Sequence, residues 1–466
     1  MKDLTQGPIV RNILAMAAPI AFGMIFQTLY YLVDLYFVSS LGDASIAGVS
    51  AAGNAMFIVL GLTQILGVGT VALIAHAVGR KDQPEANLIF NQSIVLSALC
   101  GLITIVGGYA LTPAYMQSVA ADAATVHAGV TYLYWFIPGL ALQFALVAMG
   151  SALRGTGIVQ PTMVVQIVTV VLNIVLAPIL IAGWGTGHPM GVAGAGLAST
   201  LAIVAAVALL GVYFFRLEKS VAFHHEQWRP RLDAWKRMLA IGLPAGGEFL
   251  LMFIFMGVIY WCIRDFGSAA QAGFGIGSRV MQSIFLPAMA VAFAAGPIAG
   301  QNFGARRHDR VRETFGKAVL ISSIIMAALT LLAHWRPELM VGAFTGEPEV
   351  REIAGTFLKI ISWNFVAQGV IFTCSSLFQG LGNTRPALLS TATRLVSFAI
   401  PAVYLSSQPG FQIHYLWYLS VATVTLQALV SFLLLRLEFR RRLMPVSAAP
   451  AAAPDSKDLH GVHGER

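Results

Sequence analysis

Charge is scarce in this chain. Asp, Glu, Lys and Arg make up 11% of its 466 residues and 57% are hydrophobic, whereas a soluble domain carries about a quarter charged residues. A soluble chain of this length would split into two or three domains, each with a polar shell. The residues for those shells are missing, so the surrounding solvent is lipid. Cysteine is scarcer still. Cys100, Cys262 and Cys374 each stand alone in an apolar run, which argues against a disulfide framework or a thiolate metal site. A phosphate-binding loop is also missing: the one Gly-Lys pair, Gly316-Lys317, is followed by Ala318. Gly155-Thr-Gly157 and Gly380-Leu-Gly382 follow no strand, so neither is a dinucleotide fingerprint. There is no nucleophile elbow, zinc helix or potassium-filter loop. The chain is therefore expected to be neither an enzyme nor an ATP-binding pump. No cofactor is expected, and any transport work must come from an ion gradient.

Long apolar runs are what the chain has in their place. Twelve reach or approach the ~20 residues that a span needs. They cover roughly 12–38, 49–78, 88–111, 127–150, 161–184, 191–215, 238–263, 270–300, 317–334, 353–378, 386–407 and 413–436. The runs are continuous and do not alternate, so helices are expected and barrel strands are not. The first run is long enough to span and no cleavage site follows it, so an uncleaved first helix is expected. The formal net charge of +8 would suit nucleic acid, but the basic residues lie in short loops between the runs, and no nucleic-acid partner is expected. Arg80, Lys81, Arg216, Lys219, Arg229, Arg231, Lys236, Arg237, Arg306, Arg307, Arg310, Arg312 and Arg440 to Arg442 fall on one side. The positive-inside rule then puts both termini and the central loop in the cytoplasm of a plasma (inner) membrane protein.

The chain also repeats. A shift of 225 residues lays it on itself: Pro19 falls on Pro244, Gly42 on Gly267, Gly79 on Gly304, and Ser151-Ala-Leu-Arg-Gly-Thr-Gly157 on Ser376-Leu-Phe-Gln-Gly-Leu-Gly382. The expected fold is an all-α polytopic membrane protein of twelve transmembrane helices in two six-helix pseudo-symmetric lobes. The expected boundaries are 1–216 for the first lobe, 217–237 for a cytoplasmic linker, 238–443 for the second lobe, and 444–466 for a disordered cytoplasmic tail holding His460 and His463. An even number of spans per repeat puts the pseudo-symmetry axis along the membrane normal, as in parallel-repeat transporters.

Ionisable groups inside apolar runs cost about 2.5–3.5 kcal/mol each at mid-membrane, so each needs a reason. Asp34 is the sharpest case: the repeat has Ile259 at its position, so helix geometry does not demand an acid. Gln27, Tyr30, Tyr31 and Asp34 are three to four residues apart and form one polar face. Asn173 in span five reaches a similar depth. Glu248 follows Pro244, Gly246 and Gly247 in span seven, near mid-depth. The candidate substrate-binding set is Asp34, Gln27, Tyr30, Tyr31 and Glu248. Arg279 and Arg394 are weaker candidates, to neutralise Glu248 or to line the second lobe, and Lys359 is close enough to the outer end to snorkel.

At this point the sequence resembles the multidrug and toxic compound extrusion (MATE) family, over about residues 10–436. The stretches that carry the resemblance are Leu32-Val-Asp34-Leu-Tyr-Phe-Val-Ser-Ser-Leu-Gly42, Leu153-Arg-Gly-Thr-Gly157, Leu172-Asn173-Ile-Val-Leu-Ala-Pro178, Met190-Gly-Val-Ala-Gly-Ala-Gly-Leu-Ala-Ser199 and Gln379-Gly-Leu-Gly-Asn-Thr-Arg-Pro386. The resemblance implies a twelve-helix exporter of organic cations driven by H+ or Na+, with Asp34 in ion coupling. It further implies Asn173 and Ser199 as partners of Asp34. Ala177 stands where one branch of the family has a second acid. The reading is a secondary antiporter that exports lipophilic, mainly cationic compounds by alternating access, expected to act as a monomer in the bilayer. Two others stay open: a flippase for lipid-linked precursors, and a non-transporting membrane scaffold.

Overall fold

The computed structural model describes residues 3–120, 122–218, 221–342 and 346–443. The tail expected at 444–466 lies outside these residues, as does the side chain of Tyr31. In lipid a helix satisfies its backbone polar groups internally, and among the described residues every regular element is helical. In chain order these are α1 (Ile9–Ser39), α2 (Asp43–Gly79), α3 (Gln83–Val119), α4 (Ala123–Gly155), α5 (Gln160–Ile181), α6 (Val192–Arg216) and α7 (Leu232–Ile263). They continue with α8 (Ser268–Gly304), α9 (His308–Trp335), the short α10 (Pro337–Val341), α11 (Pro348–Ile361), α12 (Phe365–Gly380), α13 (Arg385–Ser406) and α14 (Ile413–Arg442). With α11 and α12 taken together, twelve helical segments among the described residues are long and apolar enough to cross a membrane.

The duplication is exact at the ends of several helices. Asp43–Gly79 and Ser268–Gly304 start and end 225 residues apart, as do Gln160–Ile181 and Arg385–Ser406. The fourth helix follows the same register with one difference. Span ten is two helices joined by a 3-10 turn at Ser362–Asn364, and the matching residues of α4 are Ile137, Pro138 and Gly139. Proline removes a helix hydrogen bond in one copy, and a tightened turn interrupts the other, so both repeats are weakened at the same level. The helices also outrun the apolar stretches: α2, α3 and α8 have 37 residues each. That is about 55 Å at 1.5 Å per residue, against a hydrocarbon core of about 30 Å.

Polar caps set the ends. Asp82 accepts from Glu85 N at 3.1 Å to start α3. Asp122 accepts from Thr125 N at 2.8 Å and Thr125 Oγ1 at 3.1 Å to start α4. The bonds to Thr125 hold the Asp122 carboxyl below the usual carboxylate range. This cap is therefore in force above the ordinary carboxylate range and is lost as pH falls through the lowered value.

Two bundles result. α4 packs on α2, α3 and α6, and α5 packs on α1 and α6. In the second bundle α8 packs on α9, α11 and α12, and α13 packs on α7 and α14. The bundles meet through α2 on α7 and through α1 and α2 on α8. Glycine permits this backbone approach: a Cβ on Gly242 of α7 would collide with the Ile65 carbonyl of α2. At the end of the molecule that carries the α2–α3 turn, here called the basic face, polar contacts close the seam. His76 Nε2 donates to Gly380 O at 2.7 Å. Gln301 accepts from Leu4 N at 3.0 Å and donates to Gly155 O at 2.9 Å, tying α8 to the N-terminal segment and to α4.

Candidate functional site

Three helices bring the predicted residues of the first lobe together. Phe26 and Tyr30 of α1 pack with Val170 of α5 and Ala202 of α6 in one small apolar cluster. Asp34 lies one turn beyond Tyr30, Asn173 one turn beyond Val170, and Ser199 one turn before Ala202 on the antiparallel α6. Residues three or four apart share a helix face. Asp34, Asn173 and Ser199 therefore sit at one level on the side of the cluster away from the basic face. One turn along α5, Ala177 is fully buried, so no second acid stands there.

The chemistry of this level is unusual for a buried site. Asn173 and Ser199 are fully buried. Among the described residues, Asn173 Oδ1 and Nδ2, Ser199 Oγ and Asp34 Oδ1 are buried without a hydrogen-bond partner. Each such atom costs free energy that a partner would recover. The Tyr132 hydroxyl of α4 lies beside the Asp34 carboxyl. Below Tyr30, Gln166 of α5 donates to Gln27 Oε1.

The duplicated fold supplies an internal control. The residues 225 positions on from Asp34, Tyr132, Asn173 and Ser199 are Ile259, Phe357, Phe398 and Val424. All four are buried and apolar. The same packing position is thus filled by hydrocarbon in one lobe and by a carboxyl, a phenol, an amide and a hydroxyl in the other. Packing alone does not require the polar groups.

Glu248 is not part of this level. It lies in the second lobe, on α7, which α1 does not pack against to any appreciable extent. Its carboxylate accepts from Ser375 Oγ of α12 at 3.2–3.3 Å and from Thr391 Oγ1 of α13 at 3.3 Å. Gln427 of α14 in turn donates to Thr391 at 3.3 Å. The expected neutralising cations do something else. Arg394 lies over the Phe255 ring at 4.3 Å, and Arg279 is exposed. Among the described residues no ion pair reaches Glu248. Two hydroxyl donors hold it instead.

Sequence reasoning missed Tyr132 and the Ser375–Thr391 pair. A tyrosine in an apolar run reads as packing, but its repeat partner Phe357 is a signal: the one group added is the hydroxyl that meets Asp34.

Twelve membrane helices in two repeat-related bundles, parted by a seam that glycines keep narrow, are the architecture of a secondary transporter. The MatE family model matches the chain twice, over residues 19–179 and 244–405. The chain belongs to this family, the multidrug and toxic compound extrusion transporters, and is a multi-pass membrane protein. It is 25% identical over 440 residues to the multidrug export protein MepA of Staphylococcus aureus, covering 93% of this chain and 94% of the relative. It is 24% identical over 405 residues to the probable multidrug resistance protein YoeA of Bacillus subtilis, covering 85% and 87%. Among solved structures, an outward-facing multidrug resistance MATE transporter superposes with TM-score 0.88 at 24% identity, over 95% of this chain and 98% of that one. A MOP superfamily transporter of Pyrococcus furiosus, described by a binding pocket of reverse polarity, gives 0.88 at 25% identity, over 96% and 99%.

Proposed function

We propose that this transporter is an antiporter exchanging lipophilic, mainly cationic compounds for H+ or Na+, with H+ the first choice. Its coupling site is Asp34 with Asn173 and Ser199. The single observation behind this reading is the set of buried polar atoms without partners at that level, where the other lobe has only hydrocarbon. Burial penalises an ionised Asp34. A proton, a Na+ ion or the positive group of a drug each offsets that same cost, so the ion and the drug compete. Ion uptake then releases drug, and the lobes rock about the α2–α7 and α1–α8 contacts to face the other side.

The rest of the reading follows from this. Gln27, Tyr30 and Asp34 line the drug path in the first lobe, and Glu248 offers a second carboxylate in the other. The first lobe runs over 1–216, the linker over 217–237, the second lobe over 238–443 and the tail over 444–466. The protein acts as a monomer in the plasma membrane with both termini in the cytoplasm, so the basic face is the cytoplasmic face.

Tyr132→Phe tests the coupling site without threatening the fold, because Phe357 occupies the matching position. A hydrogen bond to a charged group contributes about 1.5–3 kcal/mol. The concentration of coupling ion needed for half-maximal efflux is therefore expected to shift by about tenfold or more, with the maximal rate less affected. An unchanged ion dependence would place coupling elsewhere.

A further inference from the structure

The α2–α3 and α8–α9 turns come from matching positions of the two repeats and meet across the seam at the basic face. They border a cavity of about 480 Å3 lined by Arg80, Lys81, Arg306 and Arg307, with Thr5 and Gln6 of the N-terminal segment on one side. The backbones are as close as they can come. A Cβ on Gly79 would collide with Gln301 O, and one on Gly304 with His76 O. Cations of both lobes therefore share one cavity while the lobes are closed here.

The backbone of these turns sets them apart from ordinary basic loops. Among the described residues, Lys81 (φ 60) and Arg306 (φ 56) are the only non-glycine residues with positive φ. Both end a helix by the same pair of bonds. Lys81 N donates to Val78 O and Asp82 N to Ala77 O, while Arg306 N donates to Phe303 O and Arg307 N to Asn302 O, at 2.8–3.0 Å. This helix ending favours glycine, and the chain uses glycine for it at another repeat-paired turn. Gly157 (φ 81) and Gly382 (φ 74) make the same bonds after α4 and α12. At Lys81 and Arg306 each copy instead keeps a strained cation, and backbone strain retained in this way marks sites where the side chain has a use.

Charge gives the second observation. The ion pairs among the described residues are Arg237–Glu85, Arg264–Asp265 and Arg442–Glu438, and none involves the four cavity cations. Arg307 reaches only a carbonyl, Thr5 O, at 2.9 Å. Of the acids nearest in sequence, Asp82 caps Glu85 N, Asp3 accepts from Thr5 N, and the exposed Asp309 enters none of these ion pairs. Four like charges around one cavity repel each other.

We propose that this cavity binds a phosphate-type anion between Lys81 and Arg306, supported by Arg80 and Arg307, and that the bound anion fastens the two lobes together at the basic face. Arginine forks match phosphate oxygens. Basic pockets between membrane helices near a leaflet surface take anionic lipid headgroups, and free phosphate offers the same chemistry. The backbone N–H groups of both turns are used in ending the helices, so the side chains do the recognising.

The test is the thermal stability of the full-length protein in phosphatidylcholine nanodiscs. One arm titrates inorganic phosphate against potassium chloride at matched ionic strength. The other replaces part of the lipid with phosphatidylglycerol. Wild type is expected to show a saturable rise in Tm in at least one arm. A phosphate response identifies a soluble anion, and a response to phosphatidylglycerol alone identifies a headgroup. The variant Lys81→Gly/Arg306→Gly relaxes both turns, so it is expected to be at least as stable as wild type without the anion. Its apparent affinity is expected to fall by about tenfold or more, since it loses two charge-assisted contacts. No response of wild type in either arm, or an equal response in the variant, overturns the proposal.

Discussion

Asp34→Asn is expected to reduce ion-driven drug efflux by about 100-fold while leaving the protein folded. The side chain keeps its shape, and the matching position of the other lobe holds a buried Ile259, so the fold does not depend on the acid. What is lost is the charge. An ionisable group at mid-membrane carries about 2.5–3.5 kcal/mol of insertion cost. Offsetting that cost is the work that ion and drug share, and each 1.4 kcal/mol is a factor of ten. The measurement is ethidium efflux from de-energised cells under an imposed pH or Na+ gradient, with membrane expression as the folding control. Wild-type rates in the variant would remove Asp34 from the coupling site.

Gly242→Val is expected to cost the transporter the closed arrangement of its basic face. A Cβ at this position meets the main-chain carbonyl of Ile65 across the seam, and a main chain in a helix cannot step aside as a side chain can. Overpacking of this kind costs about 1–3 kcal/mol or more, which shifts the balance between lobe arrangements by about 5- to 150-fold. Turnover should fall accordingly, because alternating access must pass through both arrangements. Gly257 on the same helix has open space around its Cα, so Gly257→Ala should transport normally. Distances between spin labels across the α2–α7 seam would report the shift directly, and an unchanged distance distribution in Gly242→Val would count against a rocking seam.

The architecture was legible because lipid imposes a simple code. Twelve apolar runs became twelve membrane-length segments, and the 225-residue shift reappeared in the helix ends. Span ten was not legible as two helices. Ser362-Trp363-Asn364 looks like ordinary helix until Pro138 is noticed at the matching place in the other copy. The candidate site was half legible. Asp34 and Asn173 stand out as polar residues in apolar runs, and their shared level follows from helix geometry. Tyr132 was hidden because an aromatic ring in a span usually means packing. Glu248 stood out too, but its partners come from α12 and α13, more than a hundred residues away in sequence, and spacing carries no trace of them. Arg394 had the right charge to pair with Glu248, yet it spends its cation on the Phe255 face, 4.3 Å away. Long arginine side chains reach in many directions, and only packing decides which.

The most direct test of the central claim is drug accumulation in proteoliposomes containing the purified wild-type chain, with ethidium on both sides and no ATP. An imposed proton gradient, and in a parallel experiment an imposed Na+ gradient, should move ethidium against its own gradient under at least one of the two, with the ion moving the opposite way. If neither gradient drives net movement while the protein remains folded and binds ethidium, the chain is not an ion-coupled exporter of organic cations.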